Sequence, residues 1–277
     1  MAHLRWTDRP TLDRPVVIAA FEGWNDAGDA ASSAIRWFGD RWDADPFADI
    51  DPEEFFDFTS TRPEVRREDG VRVIDWPLNE FSAGRLPDSG RDVILLQGVE
   101  PQLKWRTFCD LVIEVAETYD AAMVVTLGAL LAEVPHSRPV NIAGTAYDRE
   151  VVERLGLAQS TYEGPTGIVG VLHARCRDRG LTSASLWATV PTYVPGSPSP
   201  KATLALVEKT AALLDVGVIT TDLEIAAASY ERQINELVED DDETQAYVAA
   251  LEQRHDEGDD EPADLIEEVE RFLRDQE

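Results

Sequence analysis

Short apolar runs alternate with segments of helical period along most of this chain. Val16–Phe21 is β-branched and apolar, and it stops at Glu22-Gly23. Asn25 or Asp26 then stands where an N-cap belongs, ahead of a helix over Ala27–Phe38. Phe55–Thr59 and Val71–Trp76 read as strands, with Asp69-Gly70 as a hairpin turn. Asp92–Gln97, Ala121–Leu127, Val140–Thr145 and Leu186–Val190 read as further strands. Helices are expected over Leu103–Tyr119, Asp148–Leu155, Pro165–Arg179 and Pro200–Val216. The alternation predicts an α/β fold, a three-layer α/β/α sandwich on a mixed or mostly parallel sheet. Near-continuous apolar strands such as Val93–Leu96 and Met123–Leu127 suit a sheet covered on both faces.

The last quarter follows a different pattern. Leu223, Ala227, Tyr230, Ile234 and Leu237 recur at spacings of four and three, and Thr244, Val248 and Leu251 continue the register after a polar break at Glu239–Glu243. This predicts a helical hairpin or one long interrupted helix with a narrow apolar seam, a linker over 256–263 and a final amphipathic helix over 264–274. The chain therefore divides into an α/β domain over 1–221 and an acidic helical extension over 222–277. The apolar stripes of the extension must dock, either on their own domain or on another subunit.

Charge sharpens the division. The 277 residues carry a net charge of −29. From Asp222 onward 21 acids face four arginines, so −17 of that charge lies in the extension. Such a balance argues against nucleic acid and against anionic membranes as partners. The longest apolar run, Ala121–Ala132, is too short to span a bilayer. The N-terminal stretch, with Arg5, Asp8 and Arg9, has no apolar signal region, and the expected location is cytoplasmic. Cys109 and Cys176 fall within helical patterns and read as buried free thiols.

In an open α/β sheet the carboxyl ends of the strands gather on one edge, where ligands bind. The candidate edge comprises Glu22, Gly23, Trp24, Asn25, Asp26, Gln97, Gly98, Glu100, Thr126 and Gly128. The helix start at Gly164, Thr166 and Gly167 joins it, with His136 and Arg138 from a Pro-His-Ser-Arg-Pro loop. Free amides at Thr166–Ile168 suit an anion. Glu22 with Asp26 suits acid/base work or Mg²⁺, or else simply a capped turn. No HExxH, CxxC, GxSxG, strand-borne GxGxxG or Walker A motif occurs. No catalytic residue, metal site or cofactor is therefore assigned.

Several motifs occur together in order: FEGWNDAG at 21–28, LLQGVEP at 95–101, VVTLGALLAEVPHSRP at 124–139, NIAGTA at 141–146, YEGPTGIVGVL at 162–172 and VPTYVPGSPSPKAT at 190–203. The series resembles the PAC2 family, the proteasome-assembly-chaperone-2-like proteins, and its actinobacterial branch in particular. The resemblance implies a phosphorylase- or hydrolase-like α/β/α fold and a non-catalytic assembly or interaction protein. It also implies proteasome subunits as partners and a homo-oligomer, with three copies expected. Archaeal assembly factors of the family end in a hydrophobic-Tyr-x tail. This sequence ends Leu273-Arg274-Asp275-Gln276-Glu277, so insertion of such a tail is not expected. The alternative reading is a nucleoside- or phosphate-related enzyme or sensor using the cleft around Glu22–Asp26.

Overall fold

Alternate residues of one strand show how the layers form. Val17, Ala19 and Phe21 enter one apolar core, and Val16, Ile18 and Ala20 enter a second on the opposite face. Both sets are buried, so this strand is sandwiched. The computed structural model describes residues 3–86, 89–159, 166–194 and 196–257.

Its main sheet has nine strands among the described residues, ordered β1-β3-β6-β7-β2-β8-β11-β9-β10. They are β1 (Leu4–Trp6), β2 (Val16–Glu22), β3 (Asp45–Ile50), β6 (Asn79–Arg85), β7 (Asp92–Val99), β8 (Met123–Ala132), β9 (Ile142–Ala146), β10 (Ala158–Gln159) and β11 (Ser183–Pro191). The central set β7-β2-β8-β11 is parallel. β1, β3 and β6 extend one side by antiparallel pairing, and β9 pairs antiparallel with β11.

Helices α2 (Trp105–Thr118) and α4 (Ile168–Asp178) cover one face through Phe108, Val112, Ile168 and Leu172. Cys109 and Cys176 lie in this layer as buried free thiols, and burial pushes both up to about 12. Helices α1 (Ala30–Arg41) and α5 (Pro200–Leu214) cover the other face through Ile35, Phe38, Leu206 and Val207, with the short α3 (Arg149–Leu155) beside them. The fold is a three-layer α/β/α sandwich. Phe21, Phe38, Phe81 and Phe108 are among its largest fully buried side chains, each worth roughly 1.5–3 kcal/mol of transfer free energy.

Several elements differ from the sequence expectation. Phe55–Thr59 is not a strand: a short 3₁₀ turn, Pro52–Glu54, leads into it, and buried Phe55 and Phe56 anchor the segment as a loop. β1, β3 and β6 had no expected counterpart. The turn at Asp69-Gly70 and the strand after it form as expected, as β5 (Val71–Asp75), but its partner β4 (Glu64–Glu68) lies in the charged segment where no strand was expected, and the two make a separate two-stranded sheet.

In the extension, α6 (Thr221–Glu239) and α7 (Asp242–Glu257) form the helical hairpin. The seam of α6 ends on buried Val238, while Leu237 is exposed. Asp256 and Glu257 belong to α7. The remainder of the expected linker and the final helix over 264–274 lie outside the described residues.

Candidate functional site: the strand-end edge and the loop over the helical extension

The turn after β2 is tied down on three sides. The Asp26 amide donates to the Gly23 carbonyl at 3.1 Å, and the Ala129 amide donates to the Asn25 carbonyl at 2.8 Å, stitching the turn to β8. The Asp26 carboxylate accepts from the Ala31 and Ser32 amides at 2.7 and 3.1 Å. It therefore caps α1 across a single 3₁₀ turn, Ala27–Asp29. Burial raises the carboxyl pKa of Asp26 above the usual range, while the Ser32 and Ala31 hydrogen bonds oppose that shift. Its second oxygen is buried without a hydrogen-bond partner among the described residues.

Glu22 takes a different partner, accepting from Arg36 Nη1 at 2.9 Å. The two carboxylates the sequence put together thus serve a surface arginine and a helix cap respectively.

Glu100 performs the third closure. Its amide donates to the Glu22 carbonyl at 2.9 Å, and its Oε1 accepts from the Ile168 amide at 2.9 Å. The first turn of α4, the expected anion site, already holds a carboxylate of this chain. The approach is close. A Cβ on Gly167 would stand 2.8 Å from Asn25 Oδ1, 2.9 Å from Glu100 Oε1 and 3.0 Å from Trp24 Cζ3. A side chain at this position would displace Asn25 and Glu100, so glycine suits the start of α4. Asn25 is 1% exposed, and neither side-chain atom has a hydrogen-bond partner among the described residues.

The remaining edge residues are placed as follows. Thr126 is buried and shares a 2.8 Å hydrogen bond with His173 Nε2 on α4. Gly128 lies under the Trp187 ring, and Gly98 lies under Asn79. Gln97 lines a groove of about 270 Å³ with Arg36 and Glu80. Thr166 is exposed ahead of α4, and Gly164 lies outside the described residues.

Replacing Glu100 with Ala should lower stability by about 1–2 kcal/mol, because it strands the Ile168 amide. Glu100→Gln, which keeps the acceptor, should recover most of the loss. Urea midpoints of the three proteins test this, and an unchanged midpoint for Glu100→Ala would refute the capping role.

His136 and Arg138 meet the helical extension. The His136 amide donates to the Tyr193 hydroxyl oxygen at 2.8 Å, and that hydroxyl lies 2.8 Å from His136 Nδ1. The hydroxyl proton is thus directed to Nδ1, and the ring proton sits on Nε2, facing Asn235 Oδ1 at 2.9 Å. Burial holds the imidazole below its ordinary pKa. Arg138 grips both oxygens of Asp256, at 2.8 and 2.7 Å. Lys201 bridges the His136 carbonyl at 2.5 Å and Glu231 at 2.6 Å. The loop after β8 is therefore a latch for α6 and α7. Sequence reasoning did not find Tyr193, Asn235 or Asp256; the only signal for them was the apolar seam, which said that the helices dock but not where.

Among the described residues no helix is long and apolar enough to cross a membrane, and no group of three or more His, Cys, Asp or Glu is placed to hold a metal ion.

Comparison with known proteins completes the site's context. The PAC2 family model matches residues 20–238. A PAC2 family protein from Streptomyces avermitilis is 42% identical, with 84% of this chain and 99% of that one covered and a TM-score of 0.80. A Mycobacterium tuberculosis proteasome-assembly chaperone homologue is 46% identical over 84% of this chain and 99% of that one, with a TM-score of 0.77. An archaeal proteasome activator from Pyrococcus furiosus shares the fold at 16% identity and a TM-score of 0.69, over 84% and 97% of the two chains. No curated protein matches. With most of its length matched by the family model and identities of 42% and 46% to these two actinobacterial structures over 84% of the chain, the chain belongs to the PAC2 family.

Proposed function

We propose that this protein is a non-catalytic assembly or interaction factor acting on proteasome subunits in the cytoplasm. The observation that carries the reading is the self-filled edge: Glu100 occupies the start of α4 and Asp26 the start of α1. Groups that would bind substrate in an enzyme here hold the scaffold together. The 46% identity to a proteasome-assembly chaperone homologue supports the choice of partner. In this reading residues 1–221 form the family domain, 222–277 form an acidic extension latched through His136 and Arg138, and the protein works as a homo-oligomer of three copies.

Native mass spectrometry with purified proteasome α-subunits from the same organism tests it. A complex, or faster formation of subunit rings, is expected. Absence of both would overturn the proteasome assignment.

One observation favours a second reading, a small-molecule sensor at the same edge. The Asn25 amide and one Asp26 oxygen are buried without partners among the described residues, and such groups are costly unless something satisfies them. A thermal-shift screen of nucleosides and inorganic phosphate would support it by a rise in melting temperature that Asn25→Ala abolishes. No rise with any of them would dismiss it.

A further inference from the structure

The β4–β5 hairpin stands apart from the main sheet, and a lone two-stranded hairpin is marginal in water. Residues directly opposite across an antiparallel pair share a face. The register places Val65 opposite Ile74 and Arg67 opposite Arg72, all four on one face. Val65 is 54% and Ile74 53% exposed, and Trp76, just beyond β5, is 46% exposed. Arg66, on the other face, is neutralised by Glu68 and Asp75 at 3.3 and 2.6 Å. Arg67 and Arg72 have no ion pair among the described residues.

Two like charges set directly opposite destabilise a hairpin. Here they do so beside an exposed apolar pair, in a protein of net charge −29. Such a face calls for an acidic surface with an apolar centre.

The same chain carries one. Leu237 is 61% exposed at the end of α6, flanked by Glu236 and followed by the acidic run Glu239–Glu243. Within the described residues no ion pair joins this corner to Arg67 or Arg72.

We propose that the Val65–Ile74 face of the hairpin docks on the Leu237 corner of a second copy of this chain, with Arg67 and Arg72 against its acidic run. The contact is heterologous, joining two different patches, so repetition with a closing rotation yields a ring. The proposal rests on the homo-oligomer reading above and names its interface.

Light scattering and sedimentation velocity at micromolar concentration provide the test. The wild-type protein should run at a multiple of its 30.7 kDa chain mass and dissociate as salt rises. Ile74→Asp, and separately Arg67→Glu with Arg72→Glu, should weaken association roughly tenfold or more while leaving the far-UV circular-dichroism spectrum unchanged. Adding Glu239→Arg with Asp240→Arg to the double arginine variant should restore assembly.

A monomeric wild type would overturn both this contact and the homo-oligomer reading. An oligomeric wild type whose hairpin variants keep their mass would overturn the contact alone. Failure of the charge swap to rescue would overturn the Leu237 corner as its docking site.

Discussion

Replacing Gly98 with Ala is expected to cost about 3 kcal/mol, at the upper end of what overpacking a sheet interior produces. Gly98 of β7 pairs with Asn79 of β6, and the Asn79 side chain lies across it to donate to the Val99 carbonyl at 3.2 Å. A Cβ at this position would fall 2.1 Å from Asn79 Oδ1 and 2.5 Å from the Leu78 carbonyl oxygen. The side chain could rotate away, but the backbone oxygen moves only if β6 moves. Two residues on, Glu100 holds the start of α4. A shift of β7 therefore reaches the strand-end edge as well as the core. The urea midpoint of Gly98→Ala should fall sharply, and hydrogen exchange at the Ile168 amide should accelerate by more than the global loss explains. A variant as stable as wild type would show that the two strands yield freely there.

Acid should begin to destabilise this protein from about pH 6.5 downward through a buried histidine. His173 is buried in α4, bonded to Thr126, and burial pushes it from 6.5 down to about 4. The unfolded chain binds this proton below pH 6.5, whereas the folded chain resists until about 4. Stability is thus complete above about 6.5 and falls as pH drops toward 4, by a total of about 3 kcal/mol from this group. His136 shifts in the same direction from the latch. Asp222 and Asp256, both held below the usual carboxylate range, add their losses only at lower pH. His173→Gln keeps a hydrogen-bonding group near Thr126 without the titration. Its stability should vary less between pH 7 and 4.5 than that of wild type, measured by urea unfolding at each pH. Parallel slopes for the two proteins would contradict a buried neutral His173.

The centre of the fold was legible because burial on both faces leaves a simple trace. Val16–Phe21 and Val93–Leu96 are unbroken apolar runs and Met123–Leu127 is broken only by Thr126, and they became three adjacent parallel strands. The antiparallel side was hidden. β3, reading Asp-Pro-Phe-Ala-Asp-Ile, carries a proline at its exposed start and alternates only weakly, and β6 holds Asn, Glu, Ser and Gly among its seven residues. Pairing with β7 and with each other makes these strands, and that pairing is non-local. Phe55 and Phe56 misled in the opposite sense: adjacent aromatics suggest a strand, but both anchor a loop in the core.

At the candidate edge the residues of the β2 turn could be read, but their partners could not. Glu100 meets Ile168 across 68 positions and Arg138 meets Asp256 across 118. No local pattern announces contacts of that span.

The position of β11 governs how this chain can be made. β8 and β9 are near in sequence, yet in the sheet they never touch, because β11 lies between them. A chain emerging in order has β8 finished, with the run Val-Val-Thr-Leu-Gly-Ala-Leu-Leu along an unpaired edge, for about fifty residues before its neighbour exists. The last strand is inserted into the sheet rather than added to its rim. Loop closure over that distance makes this the natural slow step of folding. Fragments that stop short of Ser183 should therefore aggregate through β8, whereas those ending after α5 should keep the whole sheet soluble.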